Sequence, residues 1–155
     1  MKYKHLSHGV ICFLLIGLLI TSCSSDDDGS PNDNSQQIVQ IENMAESGNW
    51  QITNFNDSGQ VETSDFNGYD FTFNSDGSLV ASNGTTTMTG TWSVTDDSSS
   101  DDDIDFNIFF PVPDTNDFED LNDDWDIVSA SSTRIELIDI SGGNGDTDML
   151  TFEKN

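Results

Sequence analysis

From Gly48 onward, apolar and polar residues alternate with a period of two, and this alternation restricts the fold more than any other feature of the chain. It is clearest over 103–110, where Ile104, Phe106, Ile108 and Phe110 alternate with Asp103, Asp105, Asn107 and Phe109, giving one apolar face and one mostly wet face. Similar segments fall at 50–56, 69–74, 78–83, 86–95, 124–130, 133–140 and 147–153, so eight strands are expected. Most links between them are short and carry turn chemistry: Asn74-Ser75-Asp76-Gly77, Asn83-Gly84, Ser131-Ser132 and Ser141-Gly142-Gly143-Asn144-Gly145. Sequential antiparallel hairpins follow. The link at 111–123 is longer; Pro111-Val112-Pro113 stops a strand, and 118–121 is expected to form a single helical turn. Eight short strands in meander order leave two exposed edges unless the sheet closes on itself. The expected fold is therefore all-β, an eight-stranded antiparallel up-and-down barrel. Ahead of it, Ile38, Ile41, Met44 and Ala45 recur at helical spacing, which predicts a short amphipathic N-terminal helix over 37–47 ending at Gly48.

The N-terminus has a different composition. Lys2, Lys4, His5 and His8 precede an uncharged run over 9–20, the pattern of a secretory signal. At 12 residues the run is shorter than the roughly 20 that a spanning helix needs. Ile20-Thr21-Ser22-Cys23 then resembles the lipobox of bacterial lipoproteins, which implies lipidation of Cys23 and its exposure as the first mature residue. Residues 23–37 hold no apolar side chain after that cysteine and are expected to be an acidic flexible tether, with a reach of roughly 20 Å. Ser25-Asp26-Asp27-Asp28 is similar to the acidic export signal that sends lipoproteins of Bacteroidetes-type bacteria to the outer face of the outer membrane. The expected organisation is a signal peptide over 1–22, the tether over 23–37 and a barrel domain over 38–155, held at the outer membrane and facing outward, or facing the periplasm where that pathway is lacking.

Cleavage at that point removes Lys2 and Lys4, two positive charges, and takes the formal charge from -25 to -27. Nucleic acid is excluded as a partner, because binding it relies on Lys and Arg to neutralise phosphates. The same cleavage removes His5, His8 and Cys12, so the mature chain lacks histidine bases, a free thiol and His or Cys metal ligands, and no cofactor is expected. Carboxylate pairs are the remaining catalytic option. The acids are expected where solvent keeps them ionised, which makes an enzyme the least favoured reading. Asp96-Asp97, Asp101-Asp102-Asp103, Asp123-Asp124 and Asp146 with Asp148 fall at loops or strand ends, but the EF-hand pattern is absent. Asp outnumbers Glu by 23 to 6, as turn chemistry favours, so solvated turns with weak, diffuse calcium association are expected rather than a defined metal site.

A second resemblance covers 38–155. Gly48-Asn49-Trp50 opens the first strand after a short helix, like the G-x-W signature at the entrance of the lipocalin barrel. It is followed by Tyr69-Asp70-Phe71-Thr72-Phe73-Asn74-Ser75-Asp76-Gly77, Gly90-Thr91-Trp92, Leu121-Asn122-Asp123-Asp124-Trp125 and Leu150-Thr151-Phe152-Glu153-Lys154. In that order the segments are similar to small lipocalin-like domains on lipoproteins of Bacteroidetes. The resemblance implies a closed barrel end at which Trp50 packs against a basic residue from late in the chain, Arg134 or Lys154, with the family position favouring Lys154. Independently of the family, an indole at the first core position can seal a barrel end by donating its N–H to a backbone carbonyl, and a cation over its face adds about 0.5 to 2 kcal/mol.

Phe71, Phe73, Met88, Trp92, Phe106, Ile108 and Trp125 are the candidate interior residues. Eight strands enclose a space just wide enough either to fill with side chains or to hold one small ligand. Two functions therefore stand: a lipid-anchored monomer that binds a small apolar or amphipathic ligand inside its barrel, or a surface spacer or adhesive interaction domain whose barrel is filled.

Overall fold

A computed structural model describes residues 34–96, 104–140 and 147–155. The chain runs through α1 (Ser35–Ala45), β1 (Asn49–Asp57), β2 (Gln60–Val61), β3 (Asp70–Phe73), β4 (Ser78–Ser82), β5 (Thr87–Asp96), β6 (Ile104–Phe109), β7 (Asp123–Ala130), β8 (Arg134–Ile140) and β9 (Thr147–Lys154). Short 3-10 turns occupy Thr63–Phe66 and Glu119–Leu121, the second falling where a helical turn was expected. All neighbours pair antiparallel in the order β2-β1-β3-β4-β5-β6-β7-β8-β9, and β1 pairs back onto β9 from Trp50↔Lys154 to Asn56↔Met149. That last pairing closes an eight-stranded up-and-down barrel; β2 is a two-residue arm outside the ring.

The alternation has the expected phase. On β6, Ile104, Phe106 and Ile108 are buried, whereas Asp105 and Asn107 are half-buried on the outer face. On β5 the inward set is Met88, Gly90, Trp92 and Val94. Gly90 has a packing reason to lack a side chain: a Cβ there would collide with the Phe109 carbonyl oxygen and stand 2.8 Å from the Phe110 ring. Strand β6 crosses β5 closely at this point because nothing projects between them.

Two boundaries differ from expectation. Helix α1 begins at Ser35 and ends at Ala45, so it takes three residues assigned to the tether and stops two short of Ser47. Its start is held by Asn34, whose Nδ2 donates to Asp96 Oδ1 at 2.9 Å while its carbonyl accepts from Ile38 N–H. Its end is set by Trp50, whose indole N–H takes the Ala45 carbonyl. The β1–β3 connection also contains a hairpin that the alternation does not reveal. Ser58 (φ 50°) and Gly59 (φ 87°) sit between the paired residues Asp57 and Gln60, the two left-handed positions of a tight hairpin turn. Asp148 Oδ1 anchors that turn by accepting from Ser58 N–H at 2.6 Å.

Helix α1, the β3–β4 turn and the β7–β8 turn lie at one end of the barrel; the β4–β5 turn and the 110–122 connection lie at the other.

Candidate functional site

At the helix end, Trp50 is fully buried and donates Nε1–H to the Ala45 carbonyl at 2.7 Å. The Lys154 ammonium stands 5.8 Å from the Trp50 ring centroid and donates to Ser47 Oγ at 2.9 Å. A Cβ on Gly48 would come within 2.5 Å of Lys154 Cε, so the glycine of Gly48-Asn49-Trp50 leaves a path for the lysine stem. Arg134, the other basic candidate, lies at the same end but does not turn toward Trp50. As the first residue of β8 it faces outward opposite Glu153, and its guanidinium donates to Glu153 Oε1 at 2.8 Å and Glu136 Oε1 at 2.7 Å.

The candidate interior residues come together along the barrel axis, mostly as a packed stack of rings. Phe73 lies 5.2 Å from Trp92, 5.3 Å from Phe106 and 5.4 Å from Phe152, and Trp92 stacks on Phe106 at 5.6 Å. Phe71 meets Phe152 edge-on at 5.4 Å. Trp92 and Trp125 satisfy their indole N–H groups on the carbonyls of Asn74 and Leu121. Ile108 is buried among them, whereas Met88, at the start of β5, is only half-buried.

The end away from the helix is stoppered by two aromatics that periodicity does not single out. Phe66, from the first 3-10 turn, and Phe118, from the 110–122 connection, meet edge-on at 5.3 Å. Phe66 also packs on Phe55 at 5.5 Å, and Phe118 on Phe110 and Tyr69, each at 5.0 Å. Their signal in the sequence is weak: each sits amid Asp and Asn, with a single apolar partner three residues on, Tyr69 for Phe66 and Leu121 for Phe118, too little to mark a strand or a helix.

Carboxylates surround the stopper. Glu62 is pushed up by burial and by Asp57, Asp120, Asp65 and Asp117 around it; Asp120 is pushed up by burial and then by Asp57, Glu119, Asp117 and Asp65. At the start of β7, burial above all raises Asp123 to about 6, with the side-chain hydrogen bond to Asp124 and the charge of Asp139 adding to it. The expectation that solvent keeps the acids ionised fails there, because Asp123 is drawn halfway into the barrel rim. Among the described residues no group of three or more His, Cys, Asp or Glu is arranged to hold a metal ion. Asp97, Asp101, Asp102, Asp103 and Asp146, with Cys23 and its flanking motifs, lie outside the described residues.

Among the hollows that open on the outside of the described residues, two have walls formed by strands. One, of about 520 Å³, lies between α1 and the last residues of β7, with Gln36, Gln37, Gln40 and Met44 on the helix side and Ile127 to Ala130 on the strand side. The other, of about 450 Å³, crosses the outer face of β7, β8, β9 and β1 between Val128, Ile138, Met149 and Asn54.

No protein-family model and no curated protein matches this sequence. Among solved structures, a DUF4847 family protein from Bacteroides vulgatus ATCC 8482 is similar, with a TM-score of 0.46 at 19% identity, over 74% of this chain and 97% of that one.

The hollow beside α1 was not foreseen, and no local pattern announces it. It arises where a helix that packs along β5 meets a bulge in β7, two elements far apart in the chain.

Proposed function

We propose that this chain is a lipid-anchored, non-enzymatic interaction module of the outer membrane, a monomer whose filled barrel is a scaffold and whose contacts with ligands or partners are made on its outer surface. One observation carries the reading: Phe71, Phe73, Trp92, Phe106, Ile108 and Trp125 pack against one another or against further core side chains, each no more than 6% exposed. The stopper of Phe66 and Phe118 gives the same support at the end where a barrel ligand would enter. The alternative, a small apolar ligand along the axis, would require several of these rings to move. Attachment through Cys23 and display at the cell surface belong to the proposal on the strength of the motif at 20–23 and the acids at 26–28.

The test is chemical denaturation of the mature chain with and without Phe106→Ala, each freed of bound small molecules. A solid interior loses about 3 to 5 kcal/mol with the ring. A much smaller loss, accompanied by new binding of an apolar dye in the wild type, would replace the scaffold reading with the pocket reading. Asp105→Ala, on the outer face of the same strand, should cost little.

A further inference from the structure

Among the described residues, the barrel end under α1 is covered on one side only. Asn34 bonds to Asp96, and the helix packs along β5, burying Ile41 and Ala45. On the β7 side the cover is incomplete. Ile127 and Ala130 stand directly opposite Leu137 and Ile135, so all four point inward, yet Leu137 and Ile135 are buried while Ile127 and Ala130 remain half-exposed. The β7–β8 register slips between Ile127 and Ser129, and the extra residue, Val128, stands 61% exposed at the lip. The bulge thus holds the strand end away from the helix and leaves the hollow of about 520 Å³.

The lining of this hollow has a definite chemistry. Among the described residues, no ionisable side chain lines it, in a chain with 29 acids. Its floor is aliphatic, and one wall carries the amides of Gln36, Gln37 and Gln40, which bond to no other described residue. Each amide offers two donors and an acceptor. An anion would be repelled by the surrounding field; a cation would be drawn by that field but would find no carboxylate among the described lining residues. The segment between Cys23 and Asn34 is equally unsuited to it, having four aspartates and no apolar side chain other than the Pro31 ring to place on the floor. The volume falls within the range of small-molecule sites.

We infer that the hollow between α1 and β7 is a binding site for an uncharged amphipathic small molecule, its apolar part resting on Ile41, Ile127 and Ala130 and its hydroxyl or amide groups meeting the three glutamines. The inference rests on the proposal above that ligand contacts lie outside the filled interior, and it names one such contact.

The experiment follows amide resonances of the 15N-labelled mature chain, with Cys23→Ala to remove the lipid, during titration with n-octyl β-D-glucoside below its micelle concentration. Saturable shifts are expected at the side-chain amides of Gln36, Gln37 and Gln40 and at the backbone of Val128 and Ser129. Octyl sulfate, with the same tail and an anionic head, should bind at least about tenfold more weakly, and octyltrimethylammonium, whose head cannot hydrogen-bond, should leave the side-chain amides of the three glutamines unshifted. Ala130→Trp fills the hollow and should weaken octyl glucoside by a similar factor; Gln37→Ala with Gln40→Ala, on the exposed helix face, does so without disturbing the core. Absence of saturable shifts around the hollow, or equal binding of all three head groups, overturns the inference. Shifts centred instead on Trp92, Phe106 and Trp125 overturn both it and the scaffold reading, whereas silence at both places overturns the inference alone.

Discussion

At the scale of single residues, the acids do not all behave as a solvated coat. Asp123 holds its proton up to about pH 6 because burial penalises its charge, and Asp124 and Asp139 add to the effect. Its folded pKa lies above that of an unfolded aspartate, so the native state binds this proton first, and stability rises as pH falls from 7 through 6 toward 4.5. Asp76 and Glu136 act oppositely. Hydrogen bonds from Ser78 to Asp76, and from Ser129 and Arg134 to Glu136, hold both carboxylates low, and that contribution is lost only as pH falls below the usual carboxylate range. Asp123→Asn should therefore raise the urea midpoint at pH 7, leave it little changed at pH 5 and flatten the rise between them. An unaltered pH profile would show that Asp123 does not carry it. The phase of β6 was readable from sequence because each of its residues has only two faces to choose between; the half-burial of Asp123 was not, since it depends on how far the rim reaches past the strand.

At the scale of elements, the strands follow from alternation and the links from Gly and Asn. The stopper follows from neither. Phe66 and Phe118 reach the barrel end from two separate connections, and their neighbours Phe55 and Phe71 come from β1 and β3 and Phe110 from just past the end of β6. Phe118→Ala removes a ring that is 5% exposed and should cost about 3 to 5 kcal/mol. Because the ring pins the 110–122 connection, that segment and the turn at Thr63–Phe66 should lose hydrogen-exchange protection before β4 and β5 do. Uniform loss of protection would mean that the stopper is not a separable unit. Gly90→Ala probes another element pair. Its added methyl has only the Phe109 backbone and the Phe110 ring to displace, so the crossing of β5 and β6 should be weakened by about 1 to 3 kcal/mol in a denaturation experiment.

For the whole molecule, charge is the dominant global term. With -25 spread over 155 residues, and only Arg134 and Lys154 as cations among the described residues, self-repulsion opposes the compact state. Raising the ionic strength from about 0.01 to 0.15 M shortens the screening length from about 30 to 8 Å. The thermal midpoint should therefore rise with sodium chloride; a fall would indicate that the two ion pairs of Arg134 outweigh the repulsion. Anchoring is tested at the same scale. Cys23→Ala should abolish incorporation of a clickable fatty acid while the domain still folds, and label on the variant would refute the assignment.

The sequence by itself determined the eight strands of the barrel, their inward and outward faces and the positions of most turns, and the resemblance to lipocalin-like domains added the pairing of a buried indole with a late basic residue. The strands, faces and turns are consequences of local rules: a strand has a period of two, and a tight turn needs Gly or Asn. The tertiary structure places Lys154, which the resemblance favoured, rather than Arg134 beside Trp50, since β9 ends beside β1 and Arg134 faces outward. It likewise decided that two connections stopper the barrel and that α1 leaves a charge-free hollow along β7. Each of those outcomes depends on distances between residues far apart in the chain, which closure of the sheet establishes and no local pattern records.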